Sequence, residues 1–582
     1  VISVLDKKWR LKSSDDQKTL SLMQIHNLSM VAARIVSMLE IPMEEVSDFL
    51  SPKLKNMMPN PYSLLDMDKA VARTMLAIKN SEKICIFGDY DVDGATSSSL
   101  LKSYFRDIDV NADIYIPDRI LEGYGPTKTA MQKIKDSGAK VIITVDCGTS
   151  AFEALAAAKT LDLDVIVIDH HLGSESLPDA VAIINPNRLD ENFKYNNIAA
   201  VGVSFLFLVA LQKEMLLCSD NTKPPPNLLD YLDLVALGTV CDVMPLVGLN
   251  RVFVKQGLKV IAQRKRIGMN ALMDVAGINE AINCYHLGFL LGPRINAGGR
   301  VGEAGLGAKL LCETDYYQAM EFAQRLDQFN NDRKIIEARM LNEALFEAEN
   351  QRDKNIILIV GRDWHQGVIG IIASRIKEKF GRPAIVIALA NGIGKASCRS
   401  ITGVDLGAKV IEAKLSGLLI EGGGHKMAAG FTVLEEKIGD LQEFLDIAIG
   451  KDMQDLEDLD MDFYDYEVSI DGAADLTLIH ELNTIGPFGN GLPEPIACVS
   501  DLFVLKARIV GNNHISCTFA ADRSGYGSKI INAIAFGAIG TKIGDILMSD
   551  IPHKISVIAS IKLNLWKDKE SAQLMIKDII LS

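Results

Sequence analysis

Short apolar runs that each end on an acidic residue constrain this chain more than any other feature. Residues 83–88 lead into Asp89-Tyr90-Asp91-Val92-Asp93-Gly94, residues 141–145 into Asp146-Cys147-Gly148, and residues 165–168 into Asp169-His170-His171. A fourth run, 234–240, leads to Asp242. Helical periodicity over 95–106, 128–137 and 151–160 separates the first runs. Strands that alternate with helices make βαβ units and a mainly parallel sheet, so the fold class is α/β. Ligands of such sheets bind at the C-terminal ends of the strands, and there this chain gathers carboxylates and imidazoles.

Oxygen donors joined by one or two His suit Mn2+ or Mg2+. Asp89, Asp91 and Asp93 alternate, so on an extended segment they face one cavity. A calcium loop would need Glu at its twelfth position, where Leu100 stands. Each acid alone reads as a helix cap; their recurrence at strand ends points to a shared site. Two cations need a bridging carboxylate, and Asp146 supplies it if its strand is central. Such a pair activates water against a phosphate ester. His171, beside the ligand candidate His170, is placed to touch the phosphate or assist the leaving oxygen.

The chain has 582 residues, too many for a single core. Five segments are expected: a mostly helical stretch over 1–80, a catalytic α/β domain over 81–305, connecting helices over 306–353, a smaller α/β domain over 354–450 and a β-barrel over 451–582. Within them, helices are expected over 24–39, 44–50, 67–79, 227–236 and, as a long connector, 316–352. Strands over 355–360 and 383–388 flank a helix over 367–379. Strands over 502–510, 514–520, 530–536 and 554–563 suggest an OB-type barrel. Residues 223–226, Lys-Pro-Pro-Pro, form a rigid break, and the eight acids of 452–467 read as a solvated boundary.

Nine Cys without a CxxC pair read as reduced thiols, no signal peptide opens the chain, and no apolar run reaches about 18 residues, so a cytoplasmic protein without a membrane partner is expected. The net charge of −14 argues against nucleic-acid binding through bulk charge alone, although a local groove escapes that argument.

The four acidic motifs match, in order, those of the DHH phosphoesterase superfamily. Pro117-Asp118-Arg119 with Glu122-Gly123-Tyr124-Gly125, Gly292-Pro293-Arg294-Ile295-Asn296-Ala297-Gly298-Gly299-Arg300 and Trp364-His365-Gln366-Gly367 resemble the RecJ family within it. So do Gly423-Gly424-His425-Lys426-Met427-Ala428-Ala429-Gly430, the mark of a DHHA1 domain, and Pro487-Phe488-Gly489-Asn490, the opening of that family's OB domain. The resemblance spans residues 83–582. It implies a single-strand-specific 5′→3′ exonuclease of DNA repair and recombination that releases 5′-mononucleotides. It further implies a monomer whose partners are single-stranded DNA, a helicase and a single-strand-binding protein. Two Mn2+ or Mg2+ ions would sit among Asp91, Asp93, Asp146, His170 and Asp242, with Asp89 close by. Some small-substrate members carry His four residues before the position of Asp91, where this chain has Phe87.

By the same likeness Arg119, Ser397 and Arg399 hold a 5′-terminal phosphate, through bidentate guanidinium and hydroxyl contacts. Arg294 and Arg300 would touch the strand or the reacting phosphate, and His425 the strand close to the metals. Trp364 and His365 read either as base-stacking or as packing residues, and Phe488, Phe519, Phe536 and Trp566 as core. Two rival readings remain. A DHH phosphodiesterase for small nucleotides shares the metals but has no use for the C-terminal barrel. A noncatalytic binding protein would show broken motifs, and here they are intact.

Overall fold

The computed structural model describes every residue except 120, 121, 124, 219–223, 455–460, 524–528, 550–553, 567, 568 and 582, with the backbone alone at 454 and 566. Tyr124, Lys223, the middle of the acidic run and the Trp566 side chain therefore lie outside the described residues. The chain forms two compact units: residues 60–242 with 257–459, and residues 1–59 with 243–256 and 460–582.

The larger unit holds the expected parallel sheet. Its strands are β1 (Ile84–Gly88), β2 (Ala112–Tyr115), β3 (Val141–Val145), β4 (Asp164–Ile168) and β5 (Ala182–Ile184), in spatial order β2-β1-β3-β4-β5. All four pairings are parallel. β1 and β3 are buried along their whole length, which explains why they read as continuous apolar runs. Helices α1 (Val92–Asp107), α2 (Lys128–Asp136) and α3 (Phe152–Thr160) follow β1, β2 and β3.

Two further helices complete this layer. α4 (Ala200–Cys218) is long and apolar enough for a membrane span by composition, against the expectation that no such stretch exists, but residues 200–208, 210 and 211 are buried within the unit. α5 (Leu232–Cys241) corrects the reading of 234–240 as a strand-like run. Residues 232–239 are all buried, so a helix surrounded by protein shows the same unbroken hydrophobicity as a buried strand. Asp242 is thus delivered by a helix C-terminus and not by the sheet edge.

Beyond α6 (Gly292–Val301), the 34-residue α7 (Tyr316–Glu349) is the predicted connector. It leads to a second sheet of β6 (Ile357–Arg362), β7 (Ala384–Ala390), β8 (Ile393–Arg399), β9 (Glu421–His425) and β10 (Ala428–Leu434), in order β9-β10-β8-β7-β6. One face packs on α7 and α8 (Ile369–Phe380) through Met340, Ala344, Ile372 and Ile376, and the other on a separate cluster around Ile385, Val410 and Leu445.

The smaller unit contains β11 (Ala497–Val510), β12 (His514–Ala520), β13 (Ile530–Ala535), β14 (Ile555–Trp566) and β15 (Lys569–Leu581). They run β11-β12-β13-β15-β14, and β14 pairs back onto β11, which closes a five-stranded barrel with one parallel pair, β13–β15. This is the OB-type topology. Helices of the N-terminal segment pack on it through Leu22, Ile35, Val36 and Val46. Residues 243–256 join the same unit. Arg251, buried and stacked on Phe49 at 4.0 Å, donates to the carbonyls of Phe49, Ile485 and Gly486 at 2.5, 2.7 and 2.8 Å. Phe519 is core as expected, whereas Phe536 is exposed, its ring set edge-on to His514, so the core reading fails there.

Candidate active site

Three adjacent strands carry the site. β3 is the middle strand, and just past its end Asp146 adopts a left-handed backbone (φ 61°). Asp tolerates this conformation better than most residues. Its N–H donates to the Ile168 carbonyl at 3.0 Å, which ties the turn to β4. Past β1, the chain passes through Asp89 and Tyr90 to Asp91, which caps α1 by accepting from the Gly94 N–H at 3.1 Å. Asp93, in the first turn of α1, is buried and accepts from the first amides of α4, Ala200 at 2.6 Å and Val201 at 3.0 Å. A helix N-terminus thus steadies a carboxylate deep in the unit.

The side chains converge in two groups and a third that overlaps both. Asp89, Asp91 and Asp146 place one oxygen each within 4.8 Å of one another, and so do the ligand atoms of Asp93, His170 and Asp242; Asp146, His170 and His171 form the overlapping set. Asp146 joins the groups, because its Oδ1 lies 3.3 Å from His170 Nε2. The same ring nitrogen stands 3.5 Å from Asp242 Oδ2 and 3.9 Å from Asp93 Oδ2. Asp146 therefore occupies the position expected of a bridge.

Without a cation these charges are held at a cost. Burial first, then the Asp91 charge, pushes Asp89 up to about 8 and Asp93 up to about 7. Burial and the Asp93 and Asp91 charges push Asp242 up to about 9, and Asp146 is raised well above the carboxylate range for the same reasons. Burial, with the His171 charge second, lowers His170 to about 4, so at neutral pH it is an uncharged imidazole fit to ligate. Asp89 Oδ1 and Asp242 Oδ2 are buried and accept no hydrogen bond. Orphaned carboxylate oxygens beside a neutral imidazole fit an oxygen-rich divalent-cation centre.

The residues around the ligands orient them. Asp169 accepts from the backbone N–H groups of Thr149, His170 and His171 at 3.0, 2.8 and 3.2 Å and faces His171 Nδ1 at 2.7 Å. Although desolvation opposes it, His171 and these amides hold Asp169 far below the carboxylate range. Burial opposes charge on His171 too, yet the Asp169 bond and the nearby carboxylates raise its pKa. Sequence reasoning did not single out Asn185 and Asn187. Asn185 Nδ2 donates to Thr149 Oγ1 at 2.9 Å and to the His171 carbonyl at 2.8 Å, and Asn187 Nδ2 to the His170 carbonyl at 2.6 Å. Their signal was the Asn185-Pro186-Asn187 turn after an apolar run. Phe87 is core, stacked on Tyr115 at 5.5 Å, so no imidazole is missing from its place.

A basic pocket adjoins Tyr90. The Arg119 guanidinium lies 5.0 Å from the Tyr90 ring. Arg300 donates to the Gly367 carbonyl at 2.9 Å, and burial, then the charges of Arg119, Arg333 and Arg399, lower it to about 10. Arg399 donates to Ser397 Oγ at 3.1 Å, and both side chains crowd Gly370 in the first turn of α8: a methyl there would stand 3.0 Å from Ser397 Oγ and 3.1 Å from an Arg399 nitrogen. The guanidinium groups of Arg119, Arg300 and Arg399 repel one another, a charge distribution that fits an anion. Arg294 is differently placed. It is committed to Asp327 at 2.9 Å and the Leu290 carbonyl at 2.7 Å. His425 is exposed at the end of β9 and belongs to neither carboxylate group. Trp364 donates to Glu343 at 3.0 Å and packs with the α8 core, which favours its packing role. Gly424 (φ 153°) lets β9 approach β10, since a methyl there would lie 2.4 Å from the Ala429 Cα.

Known proteins resemble this chain over most of its length. Residues 83–239 match the DHH family N-terminal domain, 353–451 the DHHA1 domain and 464–578 the RecJ OB domain. The chain is 34% identical over 586 residues to the single-stranded-DNA-specific exonuclease RecJ of Bacillus subtilis, covering 99% of this chain and 71% of that protein. It is 34% identical over 550 residues to the Escherichia coli protein of the same name, covering 91% and 92%. The crystal structure of RecJ in complex with Mn2+ from Thermus thermophilus superposes with a TM-score of 0.79 at 25% identity, covering 98% of this chain and 79% of that one.

Proposed function

Because the chain belongs to the RecJ family of DHH phosphoesterases, we propose that it hydrolyses single-stranded DNA from the 5′ end, releasing 5′-mononucleotides, in DNA repair and recombination. The observation that carries this reading is the junction of two ligand groups at Asp146. One cation, Mn2+ or Mg2+, would be held by Asp89, Asp91 and Asp146, and a second by Asp93, His170, Asp242 and Asp146. Bound there, the pair supplies Lewis acidity and an acidified water for in-line attack at phosphorus.

The chain's own groups do the rest. Asp169 fixes the His171 ring through Nδ1, leaving Nε2 to donate to a phosphate oxygen or the departing oxygen. Arg119, Ser397 and Arg399 hold the 5′-terminal phosphate, and the half-buried Arg300 adds positive field beside them. Arg294 keeps α6 against α7, and His425 stands where it would meet the strand. The barrel suits capture of the single strand. The family likeness alone supports a cytoplasmic monomer fed by a helicase and sharing its substrate with a single-strand-binding protein.

Digestion of end-labelled single and double strands, with and without divalent cation, tests polarity, strandedness and metal need together. A protein that cleaves only dinucleotides and leaves long strands intact is instead a small-nucleotide phosphodiesterase. Asp146→Ala should abolish cleavage and leave strand binding measurable; undiminished cleavage by that variant removes the bridge from the scheme.

A further inference from the structure

A cavity of about 600 Å³ opens beside His171, walled by Pro126, Gly148, Ser150, Phe152 and Glu153. Its size falls in the range that takes a small organic group. It meets the carboxylate cluster at Asp169 and His171, whereas the arginine pocket meets it at Tyr90, next to Asp89. Phe152 opens α3, whose packing is made by Ala154, Leu155 and Ala158. The Phe152 ring takes no part in that core and is 40% exposed. Among the described lining residues none is Arg or Lys, and two, Glu153 and Asp169, are acidic. Glu153 is paired with Lys128 at 2.9 Å and Asp169 with His171 at 2.7 Å. With both carboxylates paired, the cavity offers a flat uncharged ring an aromatic face, a hydroxyl and glycine backbone.

We propose that Phe152 is a specificity-determining residue that stacks on the base of the second nucleotide, the one immediately 3′ of the scissile bond. The inference rests on the nuclease reading above. With the terminal phosphate in the arginine pocket and the scissile phosphate at the carboxylates, a strand that continues past His171 enters this cavity. The base it presents there belongs to the residue that becomes the next 5′ end. Stacking is indifferent to base identity, which suits an enzyme that must accept every sequence.

The test is a cycle between enzyme and substrate. Cleavage of a 5′-phosphorylated oligodeoxynucleotide is measured with Mn2+ for the wild type, Phe152→Ala and Phe152→Trp. The oligonucleotide is unmodified or carries a tetrahydrofuran abasic unit at the first, second or third position. For the wild type, an abasic second position should lower kcat/KM roughly 5- to 150-fold, the worth of one stacked base. Phe152→Ala should show the same loss on the unmodified strand and less than about twofold further loss on the abasic one, with Phe152→Trp restoring discrimination. Binding of the same oligonucleotides by Asp146→Ala, with and without Phe152→Ala, reads the effect in Kd independently of cleavage. Full discrimination by Phe152→Ala, or a loss confined to the first or third position, overturns the assignment. A wild type that binds these strands but releases nothing from the unmodified one instead refutes the nuclease reading, and the Kd cycle still decides the stacking.

Discussion

Gly299→Ala should injure catalysis more than folding. A methyl at Gly299 of α6 would stand 2.8 Å from the Tyr90 carbonyl oxygen and 3.1 Å from the Tyr90 Cβ, where ordinary contact begins near 3.4 Å. Something must therefore yield by about 0.6 Å. The yielding segment is the link between Asp89 and Asp91. Overpacking of this kind costs about 1–3 kcal/mol. Ala in a helix interior returns about 1 kcal/mol relative to Gly, so the net loss of stability is about 0–2 kcal/mol. Catalysis has no such offset. A displacement of 1 Å costs roughly 100-fold, and half of that should lower kcat/KM roughly tenfold or more. The assay is steady-state cleavage of a single strand at saturating Mn2+, with calorimetric titration of the metal and thermal melting alongside. Gly439→Ala is the control, because a methyl there meets nothing within 4 Å. If Gly299→Ala keeps wild-type kcat/KM within twofold, then α6 does not set the position of the Asp89–Asp91 segment, and the reasoning fails.

Other outcomes follow from the same geometry. Asp93, Asp89 and Asp242, raised to about 7, 8 and 9 in the ion-free site, gain charge as pH rises, so stability without cation should fall from pH 6 to 9. Saturating Mn2+ should abolish that fall, and Mn2+ affinity by calorimetry should strengthen with pH as protons are displaced; a pH-independent affinity contradicts the ligand set. Arg399→Ala should raise KM for a 5′-phosphorylated strand roughly 10-fold or more and leave a 5′-hydroxyl strand nearly unaffected; equal losses on both would remove Arg399 from the phosphate pocket. Arg251→Met leaves three buried carbonyls without their donor, which should cost about 2–5 kcal/mol and lower Tm by roughly 5–15 °C in a thermal melt; an unchanged Tm would mean that water replaces the guanidinium.

Much of the site was legible because its determinants are local in sequence. Asp89, Asp146 and Asp169 each follow a buried strand, and strand ends are marked by the switch from apolar to acidic residues. Asp242 was found for the right reason of position but assigned to the wrong kind of element, since Leu232–Cys241 is enclosed on all sides and has no polar face to show its period. The last barrel strand, Lys569–Leu581, escaped notice because Lys569, Glu570, Lys577 and Asp578 interrupt its apolar pattern. Asp578 is buried and bonded to Trp9 Nε1 at 2.8 Å, across 569 positions of chain. No pattern confined to either neighbourhood reports such a partner. The orienting roles of Asn185 and Asn187 were hidden for a similar reason: an Asn after a strand is an ordinary turn residue until its amide is seen to hold a histidine carbonyl.

The passage of residues 243–256 into the barrel unit, directly after Asp242, bears on how this enzyme could have evolved and how it can be engineered. Its architecture is not a string of detachable modules. Deleting everything beyond residue 459 would leave Arg251 facing none of its Ile485 and Gly486 acceptors, in a stretch that begins one peptide bond from Asp242. Grafting a foreign barrel would require recoding that stretch as well. Truncated or chimaeric forms should thus be judged first by whether they retain the insertion's partners, since a silent catalytic half would report a torn interior as readily as a lost DNA grip.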